Sequence, residues 1–310
     1  FAFNHNRVSK YKGALKEYWE EGAGGLRTFV SNLGEVSTGS STRILEGHTI
    51  NEYYMLTPYQ GDASYFDDFG MVNINGGPKD GMIRTEMDMA WLQAMIASGY
   101  TFYPMQGVGK DKIWYGDYIY ADVDGDGIYG NTYDNVFTGK SSTPKFTFGF
   151  QGSFGWKGLD LQFSFAGAAG FWLYWNETGA NNTGTRIGYN LLSSVAKDHY
   201  FYDPANPLDP RTNTTSKTAR LTANEGNNQQ GEKSTLHLYK GDYLKLKNLT
   251  IGYTLPEKYA KKVLMKGLRV YVSGENLFNI TSYPGQDPEM GAGMGYVTMR
   301  QISLGANLTF

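Results

Sequence analysis

The residues best suited to chemistry lie in one short run, Asp122-Val123-Asp124-Gly125-Asp126-Gly127-Ile128, which sets carboxylates at alternate positions and a glycine sixth. Hard divalent cations take oxygen ligands, and this spacing opens an oxygen-rich Ca²⁺ loop. Three carboxylates so close together repel one another unless a cation or wide solvation relieves them. Gly127 permits the sharp turn, and Ile128 would offer its backbone carbonyl. The run departs from a helix–loop–helix calcium site at the twelfth position, Tyr133, although Asp134 beside it could reach inward. Asp122, Asp124, Asp126, Ile128 and Asp134 are therefore the candidate ligands of a structural Ca²⁺. With no bidentate glutamate, affinity should fall below that of a sensor site. The same residues also suit an Asp/Gly-rich surface turn that holds no ion.

No catalytic residue or organic cofactor is expected. The four histidines, His5, His48, His199 and His237, lie far apart without zinc spacing. The absence of cysteine removes thiol catalysis, cysteine metal sites and disulfides. A net charge of −2, from 28 basic and 30 acidic residues, leaves no electrostatic footprint for nucleic acid. Phe171-Trp172-Leu173-Tyr174-Trp175 could stack on sugar rings but reads better as an interfacial girdle at the end of a membrane strand. No residue can be assigned to a substrate.

The elements that must position the acidic loop are strands. The chain closes on Ile302-Ser303-Leu304-Gly305-Ala306-Asn307-Leu308-Thr309-Phe310, which places Ile302, Leu304, Leu308 and Phe310 on one face with Ala306. An apolar stripe that ends in a C-terminal aromatic is how the closing strand of an outer-membrane barrel ends, and Ile302, Leu304, Leu308 and Phe310 are the expected assembly signal. Aromatic residues make up 15% of the chain and glycine numbers 40, yet mean hydropathy is only −0.45. That combination fits strands with one lipid face and one wet face. No apolar run approaches the roughly 20 residues of a membrane helix.

Six segments alternate as membrane strands: Phe1 to Lys10, Lys145 to Trp156, Leu159 to Phe165, Tyr243 to Thr254, Leu268 to Phe278, and Val297 to Phe310. Short connections at Lys157-Gly158 and from Pro256 to Gly267, the latter a brief helix, belong on the periplasmic side. Long polar ones, Gly167 to Gly241 and Asn279 to Tyr296, belong outside. Residues 11–144 read as an extracellular loop region with weak strands at 47–55 and 113–122, and with a short helix from Arg84 to Ala97 carrying Met87, Trp91 and Met95 on one side. Residues 145–310 read as transmembrane hairpins and the closing strand. The chain begins in a strand-like run at Phe1, with no initiating Met, and reads as part of a longer protein.

Several motifs resemble, in order, the SusC/RagA family of TonB-linked outer-membrane proteins. They are Tyr115-Gly116-Asp117-Tyr118-Ile119-Tyr120-Ala121 leading into the acidic loop, Pro144-Lys145-Phe146-Thr147-Phe148-Gly149-Phe150, and Trp156-Lys157-Gly158-Leu159-Asp160. Downstream follow Tyr243 to Tyr253, Leu268 to Phe278, and Tyr283-Pro284-Gly285-Gln286-Asp287-Pro288-Glu289. The resemblance is strong from Trp114 to Phe310 and weak before that. It implies an all-β fold: the C-terminal portion, a third or so, of a transmembrane antiparallel barrel of about 22 strands with long extracellular loops, the plug domain being absent here. It also implies outer-membrane, TonB-dependent import of glycans or peptides together with a SusD-like surface lipoprotein. TonB would be engaged through the absent N-terminal part, and the closing strand would be read by the outer-membrane assembly machinery. An autonomous eight-stranded barrel with a structural or adhesive role is the alternative, and it needs 47–55 and 113–122 to cross the membrane. A soluble sugar-binding β-sandwich is a third.

Overall fold

Six strands form one antiparallel sheet in the computed structural model: β1 (Ala2–Phe3), β2 (Phe146–Trp156), β3 (Leu159–Ala169), β4 (Tyr243–Thr254), β5 (Gly267–Thr281) and β6 (Gln301–Thr309), paired in that order. The structure describes residues 1–7, 9, 47–175, 192–222, 232–293, 295, 296 and 298–310, with the backbone alone of three short strands at Tyr18–Glu21, Arg27–Val30 and Thr42–Arg43. The chain divides into two compact units. Residues 1–6, 141–174 and 239–310 make the first; residues 7–140 and 175–238 make the second.

The first unit is a meander whose two faces differ in chemistry. Cross-strand register lines up Phe154, Leu161, Ile251, Val272 and Leu304 in one row, and Trp156, Leu159, Tyr253, Val270 and Ala306 in the next. Because side chains alternate along a strand, the intervening rows fall on the other face. Between the two lies the row of Gly155, Asp160, Gly252, Tyr271 and Gly305, and on the same face further along come Ser153, Gln162, Thr250, Ser273 and Ser303, then Gln151, Ser164, Asn248, Glu275 and Gln301. The apolar rows are open rather than covered: Phe154, Trp156, Ile251, Val272 and Leu304 are all exposed.

Turns account for the register. Lys157 (φ 48°) and Gly158 (φ 91°) are both left-handed, the geometry of a two-residue hairpin turn that follows strand twist. A side chain at Gly158 would meet the Thr254 carbonyl oxygen, so glycine is also required sterically. The connection from β4 to β5 holds a helix at Glu257–Ala260 capped by Pro256 and a 3₁₀ turn at Lys261–Val263. Leu264 (φ 59°), not Gly267, is the left-handed residue that ends it, and Gly267 already starts β5.

Strand limits differ from the sequence reading at both ends of the chain. Only Ala2–Phe3 of the Phe1 to Lys10 segment is strand, facing Phe146–Thr147, and Val8 and Lys10 lie outside the described residues. The closing strand starts at Gln301, and Val297 lies outside the described residues. Strand β3 runs on to Ala169, and of the following connection residues 176–191 and 223–231 lie outside the described residues. The aromatic run after β3 is no exposed girdle: Phe171, Leu173 and Trp175 are buried.

The second unit packs around helix α1 (Glu86–Ala97), and 47–55 and 113–122 fall within it rather than in the six-stranded sheet. Thr85 caps α1 reciprocally, accepting from the Asp88 N–H at 3.1 Å while Asp88 accepts from the Thr85 N–H at 2.8 Å. Asp88, Met89, Trp91, Leu92 and Met95 are buried, whereas Met87 is exposed. The inward stripe therefore follows 88, 91, 92 and 95, with Met87 beyond its edge. Trp91 and Phe102 sit at the centre with Ile83, Ile113, Ile119 and Tyr200. Of 47–55, only Glu52–Met55 is a strand, wholly buried, and of 113–122 only isolated bridges form, such as Met82 with Tyr118. Most of the region from 11 to 46 lies outside the described residues.

Candidate metal loop and buried ion-pair cluster

The acidic run folds into a tight loop in the second unit, leading into a short strand at Ile128–Tyr129. Gly125 (φ 78°) and Gly127 (φ 82°) take the left-handed turns, which brings oxygens of Asp122, Asp124 and Asp126 within 4.8 Å of one another. Asp122 accepts the N–H groups of Gly125 (2.7 Å) and Gly127 (2.9 Å). Asp126 accepts the Ile128 N–H at 2.7 Å and the Asn131 side-chain amide at 2.9 Å. Asp124 receives the Asp126 N–H at 3.2 Å. Its carboxyl is raised by burial, opposed by that N–H, and raised further by the charges of Asp126 and Asp122.

The carbonyls of Gly127 and Tyr129 accept from Thr101 (3.0 Å) and Tyr103 (2.8 Å) in a parallel ladder. The Ile128 carbonyl between them points to the opposite edge, as strand alternation requires. Asp134, expected to reach toward the ion, is used differently. One of its oxygens accepts the Val123 N–H (2.6 Å), and the other accepts those of Gly130 (2.8 Å) and Asn131 (3.0 Å). The reason is local: a 3₁₀ turn at Thr132–Asp134 leaves N–H groups that need an acceptor, and Asp134 closes its capping box with Asn131. Burial pushes its carboxyl up to about 7 despite the N–H groups of Val123 and Gly130, with Asp122 and Asp124 adding repulsion.

In the first unit the sequence reading missed a buried ionic cluster. Lys245 on β4 donates to Asp287 (2.6 Å), Glu289 (2.9 Å) and the Thr298 hydroxyl (2.8 Å), while Lys247 donates to both oxygens of Glu289 at 2.5 and 2.7 Å. Lys245 and Asp287 are both buried. Burial raises the carboxyl of Asp287, but hydrogen bonds from Lys245, Thr298 and the Glu289 N–H outweigh it and hold the group below the ordinary carboxylate range. Glu289 is held low in the same way, by Lys247 and then Lys245. The only signal in the sequence was the pairing of two lysines on a strand with an Asp-Pro-Glu run forty residues later.

On β6, Ile302, Leu304 and Leu308 are exposed and pair with Gly274, Val272 and Leu268, and Phe310, just past the strand, is exposed as well.

No family profile matches the chain. Among curated proteins, TonB-dependent receptor P3 of Formosa agariphila is 31% identical over 210 residues, which is 63% of this chain and 19% of that protein. TonB-dependent receptor P26 of the same organism is 28% identical over 208 residues, 62% of this chain and 19% of that protein. Among solved structures, the RagAB peptide importer in its closed-closed state superposes with a TM-score of 0.53 at 21% identity, covering 92% of this chain and 26% of that one. The RagAB peptide transporter gives 0.52 at 22% identity, covering 92% and 26%. The chain thus spans about a fifth of the length of the curated relatives it matches. In sequence the chain is similar to TonB-dependent receptors over 63% of its length, and its fold, a partial antiparallel barrel, matches part of the RagAB importer chain.

Proposed function

We propose that this chain forms part of the wall and outer loops of an outer-membrane transporter that imports oligomeric nutrients, oligosaccharide or peptide, in a TonB-dependent manner beneath a SusD-like lipoprotein, with no chemical change to the cargo. The observation that carries the reading is the two-faced sheet. An exposed apolar face spanning five strands is far larger than the scattered apolar residues that solvent-facing proteins tolerate, and it fits a lipid contact. The opposite face of Ser, Thr, Asn and Gln fits a wet lumen. In this reading the turns at Lys157-Gly158 and around Glu257–Ala260 face the periplasm, the second unit lies outside the cell, and Ile302, Leu304, Leu308 and Phe310 form the strand read during assembly. The shared fold with the RagAB peptide importer supports the barrel-wall part of this reading.

The test is uptake. Cells that carry the intact receptor should accumulate a labelled oligomer only while TonB is present and the membrane energised, and an affinity-tagged receptor should retain a surface lipoprotein. Uptake unaffected by loss of TonB would overturn the reading.

A structural Ca²⁺ belongs to the same proposal. Asp122, Asp124, Asp126 and the Ile128 carbonyl would hold it, with Asp134 fixing the loop from behind through the backbone. The observation that favours it is the convergence of three carboxylates with no cationic side chain paired to them among the described residues. The ion would relieve their repulsion and stiffen the loop.

A further inference from the structure

A cleft of about 660 Å³ opens within the second unit between two walls distant in sequence, residues 110–115 and residues 196–221. Its size falls in the range of small-ligand sites. The walls are tied together by Arg220, which donates to Asp117 (3.0 Å) and to the carbonyls of Lys110 and Lys112 (both 2.9 Å). The Arg220 N–H adds a further tie to the Gly116 carbonyl at 3.1 Å, and the Tyr200 hydroxyl anchors its wall to the Arg84 carbonyl at 2.6 Å. Gly116 (φ 88°) is needed for this closure, because a side chain there would strike the Tyr200 ring. The cleft is therefore set before any ligand arrives, which lowers the ordering cost of binding.

Aromatic rings form a string along it. Trp114 meets Tyr115 edge-on at 5.2 Å, and Tyr115 meets Tyr202 at 5.1 Å. Tyr115 is buried, while Trp114 and Tyr202 are half-buried and line the opening. Phe201 lines it too, with the Arg211 guanidinium over its ring at 4.7 Å. Arg211 spends two N–H groups on Asp209 (3.0 and 2.8 Å), which fixes the guanidinium and leaves the rest of its fork available. Asp209 offsets Arg211 and Asp117 offsets Arg220. Lys110 and Lys197 remain, exposed and without an ion-pair partner among the described residues, facing Asp203 in the lining, with Glu86 behind the rings accepting from the Tyr202 hydroxyl at 3.2 Å.

We propose that this cleft binds an oligosaccharide bearing carboxylate or sulfate groups, its ring faces against Trp114 and Tyr202 and its acidic substituents toward Lys110 and Lys197. The proposal rests on the import reading, since such an oligosaccharide would be the cargo. A peptide strand is held mainly by ladder bonds to a free sheet edge. Here the main chains of Phe201 and Asn213 already bond each other (3.1 and 2.9 Å), so the wall offers side chains instead. Hydroxyls would find donors and acceptors in Arg211, Asn213 and Asp203.

The test uses the intact receptor that carries this chain, purified in detergent without an energy source and probed on an array of acidic and neutral oligosaccharides and acidic peptides. Acidic oligosaccharides should be retained, and their affinity should fall as salt rises. The double variant Lys110→Gln/Lys197→Gln, at two exposed positions that leave the fold intact, should weaken binding about three- to tenfold and flatten the salt dependence. Trp114→Ala should weaken it about tenfold. Retention of neutral sugars or peptides in preference, of no acidic sugar at all, or unchanged affinity in the double lysine variant would each overturn the proposal. Because binding is read without energy, a receptor that binds but does not import faults the import reading, whereas one that imports with lysine-independent binding faults this one.

Discussion

The ammonium of Lys245 lies 2.6 Å from a carboxylate oxygen of Asp287, and the same oxygen accepts the Thr298 hydroxyl at 2.6 Å. This contact ties the connection between β5 and β6 to the polar side of β4, and almost no solvent reaches it. Buried ion pairs are costly to break from one side only. Lys245→Met should therefore destabilise the segment from 282 to 300 by about 3–5 kcal/mol, because Asp287 is left charged and unpaired. The double variant Lys245→Met/Asp287→Leu should recover most of that loss. Protease cleavage within 282–300 reports both; equal cleavage in the single and double variants would refute the coupling.

The same cluster sets a pH response with a defined sign. Asp287 and Glu289 are held below their ordinary values, so the stability they supply is complete above the unfolded carboxylate range, about 4, and is lost as pH falls through their lower folded values. Protection factors across 282–300, with the intrinsic pH dependence of amide exchange divided out, should be unchanged between pH 7 and 5 and should fall only in acid below about pH 4. A release between pH 7 and 5 would contradict the assignment.

At the acidic loop, chelation should raise cleavage near Gly125, and Asp124→Asn/Asp126→Asn should reproduce that effect without Ca²⁺ dependence while leaving the barrel folded. A crystallographic map of the calcium-soaked protein supplies the direct check, with oxygen ligands at about 2.3–2.6 Å. An ordered loop with splayed carboxylates and no density between them would contradict the site.

The last strand carries a prediction of its own. Leu304 on β6 and Phe310 just beyond it are both exposed, so Phe310→Lys should lower the amount of receptor in the outer membrane while leaving synthesis intact. Surface labelling measures it, and wild-type surface levels would show the terminal aromatic to be incidental.

What was legible in the sequence was the part governed by local pattern. From Phe146 to Ala169 a period of two runs through a Lys-Gly turn whose residues both take positive φ, so strand, turn and register follow from neighbours in the chain. The second unit obeys no such rule. Residues 113–122 alternate like a strand, yet the Ile119 N–H bonds the Gly81 carbonyl and the Ala121 N–H bonds that of Thr57, contacts that no window of sequence contains. Long-range packing also overrode the girdle reading of Phe171 to Trp175 and placed Met87 outside the buried stripe of α1. The acidic loop is visible because its carboxylates come from alternate positions. The role of Asp134 is not legible there, because capping of a 3₁₀ turn competes for the same carboxylate. Lys245 and Asp287, like the walls of the aromatic cleft, are joined only by the fold.

A lipid face and a wet face on the six-stranded sheet can be told apart directly by cysteine labelling, since residues 1–310 contain no cysteine of their own and any elsewhere in the receptor is first replaced by serine. Single cysteines are placed along two rows of the intact receptor in bilayers, spin-labelled, and compared for collision with oxygen and with a water-soluble nickel chelate. Labels at Phe154, Leu161, Ile251, Val272 and Leu304 should collide preferentially with oxygen, and labels at Ser153, Gln162, Thr250, Ser273 and Ser303 with the chelate, so that accessibility alternates with a period of two along every strand. Equal chelate access in both rows would contradict a membrane-spanning sheet.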